Sequence, residues 1–262
     1  MRWKSTLLAL LGKAEYSLWN TLRVNYRLFP REVARLLPVK AGRHLDLKGL
    51  HRGSIVFREG VQPHKFMFRL GVSPWTLYSN KSMHTLCWFH AGAQLVVGDE
   101  TDINSGCRLV ITTKATVELG DHFFINQNSL IYCSRSIRFG QHCTLGWDCQ
   151  VYDSDFHLCA DARQGIVRNP VRPIVVGDDV WVANRCTLAK GTVIPSHSVI
   201  ASHSLVTGDL SRVVADDTSC GHLFAGIPAT LRRSGIMPIS DNRTEAKLRR
   251  HFFRTDADFL PL

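Results

Sequence analysis

A large apolar side chain, aliphatic everywhere but at Phe139, recurs at every sixth position along five stretches of this chain, and few folds tolerate such a period. Val97, Ile103 and Leu109 are followed by Leu119, Ile125 and Ile131, then by Phe139, Leu145 and Val151. Val176, Val182 and Leu188 come next, and Ile194, Ile200 and Val206 close the series. A helix repeats at about 3.6 residues and an isolated strand at about two, so neither accounts for a spacing of six. A parallel β-helix does, because each side of its coil takes one hexapeptide and buries one large side chain.

The fourth residue after each aliphatic position tests this independently, since a narrow solenoid has room for one large and one small inward side chain per side. Eleven of those fifteen positions are small: Thr101, Cys107, Thr113, Ser129, Cys143, Cys149, Val180, Cys186, Thr192, Ser198 and Ser204. The residue just after the aliphatic one is often glycine, as at Gly98, Gly120, Gly140, Gly146 and Gly177. Glycine there suits a corner that needs either a positive φ or close backbone approach.

The chain of 262 residues carries a formal charge of +10, which favours an anionic partner without choosing among nucleic acid, membrane or phosphorylated small molecule. Eight cysteines contain no C-x-x-C pair, and four of them fall in the small inward register. They read as packing residues in a reducing compartment, with no metal expected. From Trp3 to Leu37 the pattern is helical and basic, with Leu7, Leu8, Leu11, Tyr16, Leu18, Trp19 and Leu22 apolar and Lys4, Lys13, Arg23, Arg27, Arg31 and Arg35 cationic. The run Leu7 to Leu11 is too short for a signal sequence or a membrane span. The expected location is cytoplasmic. The basic segment either covers the end of the solenoid or lies on the inner face of a membrane.

The expected organisation is an all-β solenoid at 53–212 between a basic helical or irregular cap at 1–52 and a C-terminal turn and short helix at 213–262. Residues 53–89 are read as irregular early coils. Extra residues between Leu109 and Leu119, and between Ile131 and Phe139, are read as small corner bulges. Asp241 is the candidate N-cap of the last helix. Between Val151 and Val176 about nineteen residues more than one hexapeptide leave the solenoid and return, within a loop at 152–175. Functional groups concentrate on such excursions from rigid scaffolds.

Several segments then match in order: Asp153-Ser-Asp-Phe-His157, Pro173 to Ala183, Leu188 to Ile194, Ser198 to Thr207, and Phe224 to Ala229 followed by Arg232 and Arg233. Over these roughly eighty residues the chain resembles the hexapeptide-repeat acyltransferases, specifically the O-acetyltransferases of sugars and surface polysaccharides. The resemblance implies a left-handed parallel β-helix, a homotrimer with an active site between neighbouring subunits, acetyl-CoA as acyl donor, and direct transfer to a saccharide or sugar-nucleotide acceptor. It matches His157 to the general base. An imidazole titrating near pH ~6.5 can take a proton from a sugar hydroxyl and return it to the thiolate of CoA. Asp155, in the small inward register, or Asp153 can hold the imidazole tautomer, and either can instead satisfy loop amides.

By the same resemblance Trp181 flanks the cleft. Next to the small-register Val180, it is expected to point outward. Ala183, Asn184, Ser202, Thr207, Gly208 and Arg233 match positions that line the CoA groove. The family often has glycine at Ala183, alanine at Ser202, and lysine at Gly208 and Thr230. Arg232, Arg233 and Lys190 are the cations here that can meet a phosphate. The rival readings are N-acylation of a nucleotide-linked amino sugar, a metal-binding β-helix of the carbonic-anhydrase type, and a trimeric scaffold without catalysis. His122 and His142 occupy equivalent positions on successive coils and are expected to stack on one face. A third histidine to complete a metal site is not evident, and no nucleic-acid motif appears.

Overall fold

A computed structural model describes residues 16–73, 83–214, 220–240, 242–252 and 254. The chain visits three sheets in rotation. Starting with Val39–Ala41, Leu45–Lys48 and Ile55–Phe57, successive short strands enter a nine-, a seven- and a six-stranded sheet in turn. Each strand pairs in parallel with its counterpart one coil away, and aliphatic residues meet in register: Ile125 lies beside Ile103 and Leu145, and Ile131 beside Leu109 and Val151. All fifteen periodic residues are buried, none more than 2% exposed. The period of six is therefore one sheet of a three-sided coil, and the core is a continuous column along the axis.

Ten of the eleven small positions are also buried, and Thr113 is not. The reason is a lengthened pair of strands. Leu109 and Ile111 both point inward from Arg108–Ile111, and Val117 and Leu119 from Thr116–Leu119. Ala115 thus takes the small site. In the next coil Leu130–Cys133 and Ser136–Phe139 are extended in the same way. The extra residues expected as corner bulges widen two sheets instead.

The early coils are more regular than their blurred periodicity suggests. Phe68–Leu70 and Thr85–Phe89 stack in register on Thr101–Ile103 and Arg108–Ile111. The boundary expected at residue 52 also moves, because Val39–Ala41 and Leu45–Lys48 already pair into the first two sheets. At the other end, His222–Gly226 extends the first sheet in parallel beyond residue 212, and Ala229–Ser234 folds back on it antiparallel.

The helix Leu18–Leu28 covers the open edge of the first strand by a polar device. Asn25, fully buried, donates to the Val39 carbonyl at 2.7 Å and accepts from the Val39 N–H at 3.0 Å, while the Thr21 hydroxyl accepts from the Ala41 N–H. Val24 and Leu28 bury beside them, whereas Leu18, Trp19 and Leu22 from the expected apolar set face outward. Residues Trp3 to Lys13 and the candidate cap Asp241 lie outside the described residues. The last described helix is Asn242–Phe252. No helix of the described residues is long and apolar enough to cross a membrane.

Candidate functional site

The three corners of the coil run as three edges along the solenoid. The edge between the second and third sheets carries the excursion, which leaves after Gln150–Tyr152 and rejoins at Ile174–Val176. Its neck is laced by backbone bonds: Arg172 N–H to the Asp153 carbonyl at 2.9 Å, and Asp155 N–H to the Pro170 carbonyl at 3.0 Å. Beyond the neck, Ala160–Asp161 and Ile166–Val167 form a small antiparallel hairpin. Asp161 closes its turn by accepting from the Gln164 and Arg163 amides and from Arg168, and these bonds hold its carboxyl below the usual range.

Asp153 is fully buried, and its carboxylate accepts from the amides of Ser134, Arg135 and Ser136 at 2.6, 2.7 and 3.0 Å. It anchors the turn of the coil below, which is the second of the two roles left open for it, the satisfying of loop amides. Asp155 departs from its expected place. It is exposed instead of inward, and its carboxylate pairs with the ammonium of Lys190, one coil up on the same edge. Asp153 has taken the inward position two residues after Val151, by the alternation of a strand. Within one chain neither carboxylate contacts the imidazole of His157.

His157 is exposed, and its imidazole makes no hydrogen bond to a described residue. Phe156 sets its position. That residue has a φ of +62°, uncommon for a bulky side chain, and the His157 N–H bonds the Asp155 carbonyl at 2.7 Å across this tight reversal. The Phe156 N–H bonds the Ser154 hydroxyl at 3.1 Å. Its ring packs edge-on to Tyr132, 4.7 Å between centroids, and tilted against Tyr152 at 5.7 Å. A left-handed backbone at such a residue costs about 1–3 kcal/mol and persists only when its surroundings enforce it. Here two aromatic rings and a hydroxyl do so, and the adjacent imidazole is displayed to solvent.

The Lys190 ammonium also donates to the Asn169 carbonyl at 3.5 Å, so one cation ties the outgoing and returning limbs of the neck. Gly191 N–H adds a bond to the Arg172 carbonyl. Lys190 was read from sequence only as a cation for phosphate. Its tie to Asp155 spans an excursion whose path the sequence does not specify.

The other candidate residues divide between edges. Asn184 and Ser202 come together between the first and second sheets, the Ser202 hydroxyl donating to the Asn184 side-chain oxygen at 2.7 Å. Trp181 and Ala183 immediately precede them, and Trp181 points outward as expected, 45% exposed. Arg233 pairs with Leu223 in the terminal hairpin of the first sheet. Thr207 and Gly208 lie on the excursion's edge, with the Gly208 carbonyl bonded by the Val193 N–H. One face of the solenoid thus separates His157 from the Asn184–Ser202 pair. This edge continues downward as Asn126, Gln127 and Asn104, the last with a buried side-chain oxygen that has no hydrogen-bond partner among the described residues. Sequence reasoning missed this polar ladder, whose signal is asparagine at positions 104 and 126 where later coils of the same edge carry Gly146, Ala183 and Ala201.

On the third edge His122 and His142 stack as expected, 4.6 Å apart and nearly parallel. Among the described residues the one group with metal-ligand spacing is His64, Asp99 and Glu100, and Arg69 already donates to Glu100.

No protein-family model matches the chain. Over 108 residues it is 27% identical to a Saccharomyces cerevisiae protein, covering 40% of this chain and 54% of that one. Over 128 residues it is 25% identical to a Mycobacterium tuberculosis protein, covering 47% and 39%. Both carry acetyltransferase names, and the chain spans about half or less of their length. A hexapeptide-repeat-containing acetyltransferase of Vibrio cholerae, solved with acetyl-CoA, is 29% identical, with 56% of this chain and 70% of that chain covered and a TM-score of 0.38. The chain is similar to acetyltransferases of the hexapeptide-repeat kind.

Proposed function

We propose that the protein is an acetyl-CoA-dependent O-acetyltransferase that acetylates a sugar hydroxyl during synthesis of a surface polysaccharide or lipopolysaccharide. The observation that carries this reading is the display of His157: a solvent-facing imidazole without a partner among the described residues, held by a left-handed residue packed against two tyrosines. A scaffold has no use for such a device. The acetyltransferase names of the two curated relatives support the class of reaction.

In the proposed reaction the neutral imidazole takes the proton of the acceptor hydroxyl as its oxygen attacks the thioester carbonyl. The tetrahedral intermediate collapses with loss of the CoA thiolate, which receives that proton, so the imidazole ends as it began. Trp181, Ala183, Asn184, Ser202, Thr207, Gly208 and Arg233 are the proposed donor groove. The separation of His157 from Asn184 and Ser202 within one chain supports a site completed by a neighbouring copy in a homotrimer of left-handed β-helices.

His157→Ala should lower kcat by about 10²- to 10⁴-fold with little change in acetyl-CoA affinity. Turnover at the wild-type rate across a panel of saccharide acceptors would remove the assignment.

A further inference from the structure

The helix Leu18–Leu28 is apolar on two faces, and the solenoid uses only one of them. Val24 and Leu28 turn inward with Thr21 and Asn25, which satisfy the first strand. On the adjoining outer face Leu18, Trp19, Leu22 and Tyr26 fall at helical spacing, with Trp19 74% exposed. An end cover needs no outer tryptophan. Isolated apolar residues on a surface are ordinary, whereas four on one helical stripe mark a contact.

The charges around the stripe choose its occupant. Arg23 is exposed on the same helix and Arg31 and Arg35 on the short helix that follows and its cap, Arg27 reaches back to the Leu50 carbonyl, and among residues 16–36 the acidic side chain is Glu32 alone. A second copy seated on the stripe would bring these guanidinium groups against their equivalents. An anionic surface would be attracted by all of them, and Trp19 and Tyr26 have the amphipathic rings that settle at the boundary between headgroups and acyl chains. We propose that this stripe seats the protein on an anionic lipid surface, with the helix axis parallel to the membrane.

Full-length protein should sediment with vesicles of phosphatidylglycerol and phosphatidylcholine and not with phosphatidylcholine alone, and added salt should release it. The exposed substitutions Trp19→Ser and Leu22→Ser together should weaken partitioning by about tenfold or more, since each removes several apolar carbons from the lipid. Arg23→Gln with Arg31→Gln should erase the preference for phosphatidylglycerol. Circular dichroism confirms that each variant keeps its β signal, and the salt release of the wild-type chain stands independently of them. Equal binding to both vesicles, none to either, or undiminished binding of the Trp19/Leu22 variant would overturn the proposal. So would a fall in particle mass by light scattering in that variant, which assigns the stripe to a second copy. Binding gained only after deletion of residues 1–15 would overturn it too, by showing that the chain's own N-terminus covers the stripe.

Discussion

Cys149 donates its thiol to the Ala183 carbonyl at 3.1 Å, and Cys186 does the same to Ala201, Cys143 to Gly177 and Cys107 to Asn126. Ser129 meets the Gly146 carbonyl in this way through its hydroxyl. In these five places the small inward residue bonds the corner of the next coil, whereas Thr101 and Ser198 turn back to the carbonyls of Gly98 and Pro195 in their own coil, so cysteine, serine and threonine all find an acceptor. A serine in these places costs about 1 to 3 kcal/mol only where its hydroxyl finds no partner. With the carbonyl in reach, Cys149→Ser should lie within about 1 kcal/mol of wild type in urea unfolding, and Cys149→Val should cost more because it forfeits the bond. Burial holds the thiols of Cys107, Cys143 and Cys149 up at about 12, so at neutral pH iodoacetamide should label exposed Cys159 and spare these three until the chain unfolds. An early label on Cys143 would contradict the packing role. His64 offers a pH test. Its bond to Asp99 raises its pKa above the ordinary 6.5, so protonation favours the fold. That small contribution is complete below the ordinary value and fades as pH rises through the raised one. His64→Gln should flatten this slope in Tm.

Among the elements, the regular coils were the most legible and the excursion the least. Period and register follow from side chains that must fill a column of fixed width, so the fifteen periodic residues from Val97 to Val206 could be placed one by one. The corner glycines were half understood. Gly146 has no positive φ; a Cβ there would lie 2.6 Å from the Asn184 amide nitrogen, so the need is for close stacking. The left-handed residue comes two places later and is seldom glycine, as Asn128, Asp148, Arg185 and His203 show. Gly146→Ala should thus destabilise by about 1–3 kcal/mol and displace Asn184, read as a weaker KM for acetyl-CoA. The excursion escaped because no period governs it. The roles of Asp153 and Asp155 depend on the turn at 134–136 and on Lys190, contacts that arise only once the coils stack. Lys190→Met should loosen the neck, raising amide exchange across 155–172 and lowering kcat more than it changes KM for the donor. Lys190→Arg should recover part of the loss. An unchanged exchange pattern would show that the backbone bonds of the neck suffice.

At the scale of the whole molecule, the proposed site requires two chains, because the excursion and the Asn184–Ser202 pair stand on different edges. Mixing inactive His157→Ala chains with chains blocked by Ser202→Trp should restore part of the activity, since some clefts then receive an intact base and an intact groove. A stable monomer with full activity by light scattering, or mixed assemblies with no recovery, would place each site within one chain. The final hairpin has a further effect at this scale. A stack of parallel coils is in principle an endless polymer, each rim a template for the next, and the helix at 18–28 blocks only the starting rim. Ala229–Ser234 runs against the grain of the first sheet and presents Arg232 and Arg233 along its length, so an arriving coil finds the wrong polarity and a charged border. On this sheet the reversed strand stops the parallel propagation that the repeat would otherwise permit.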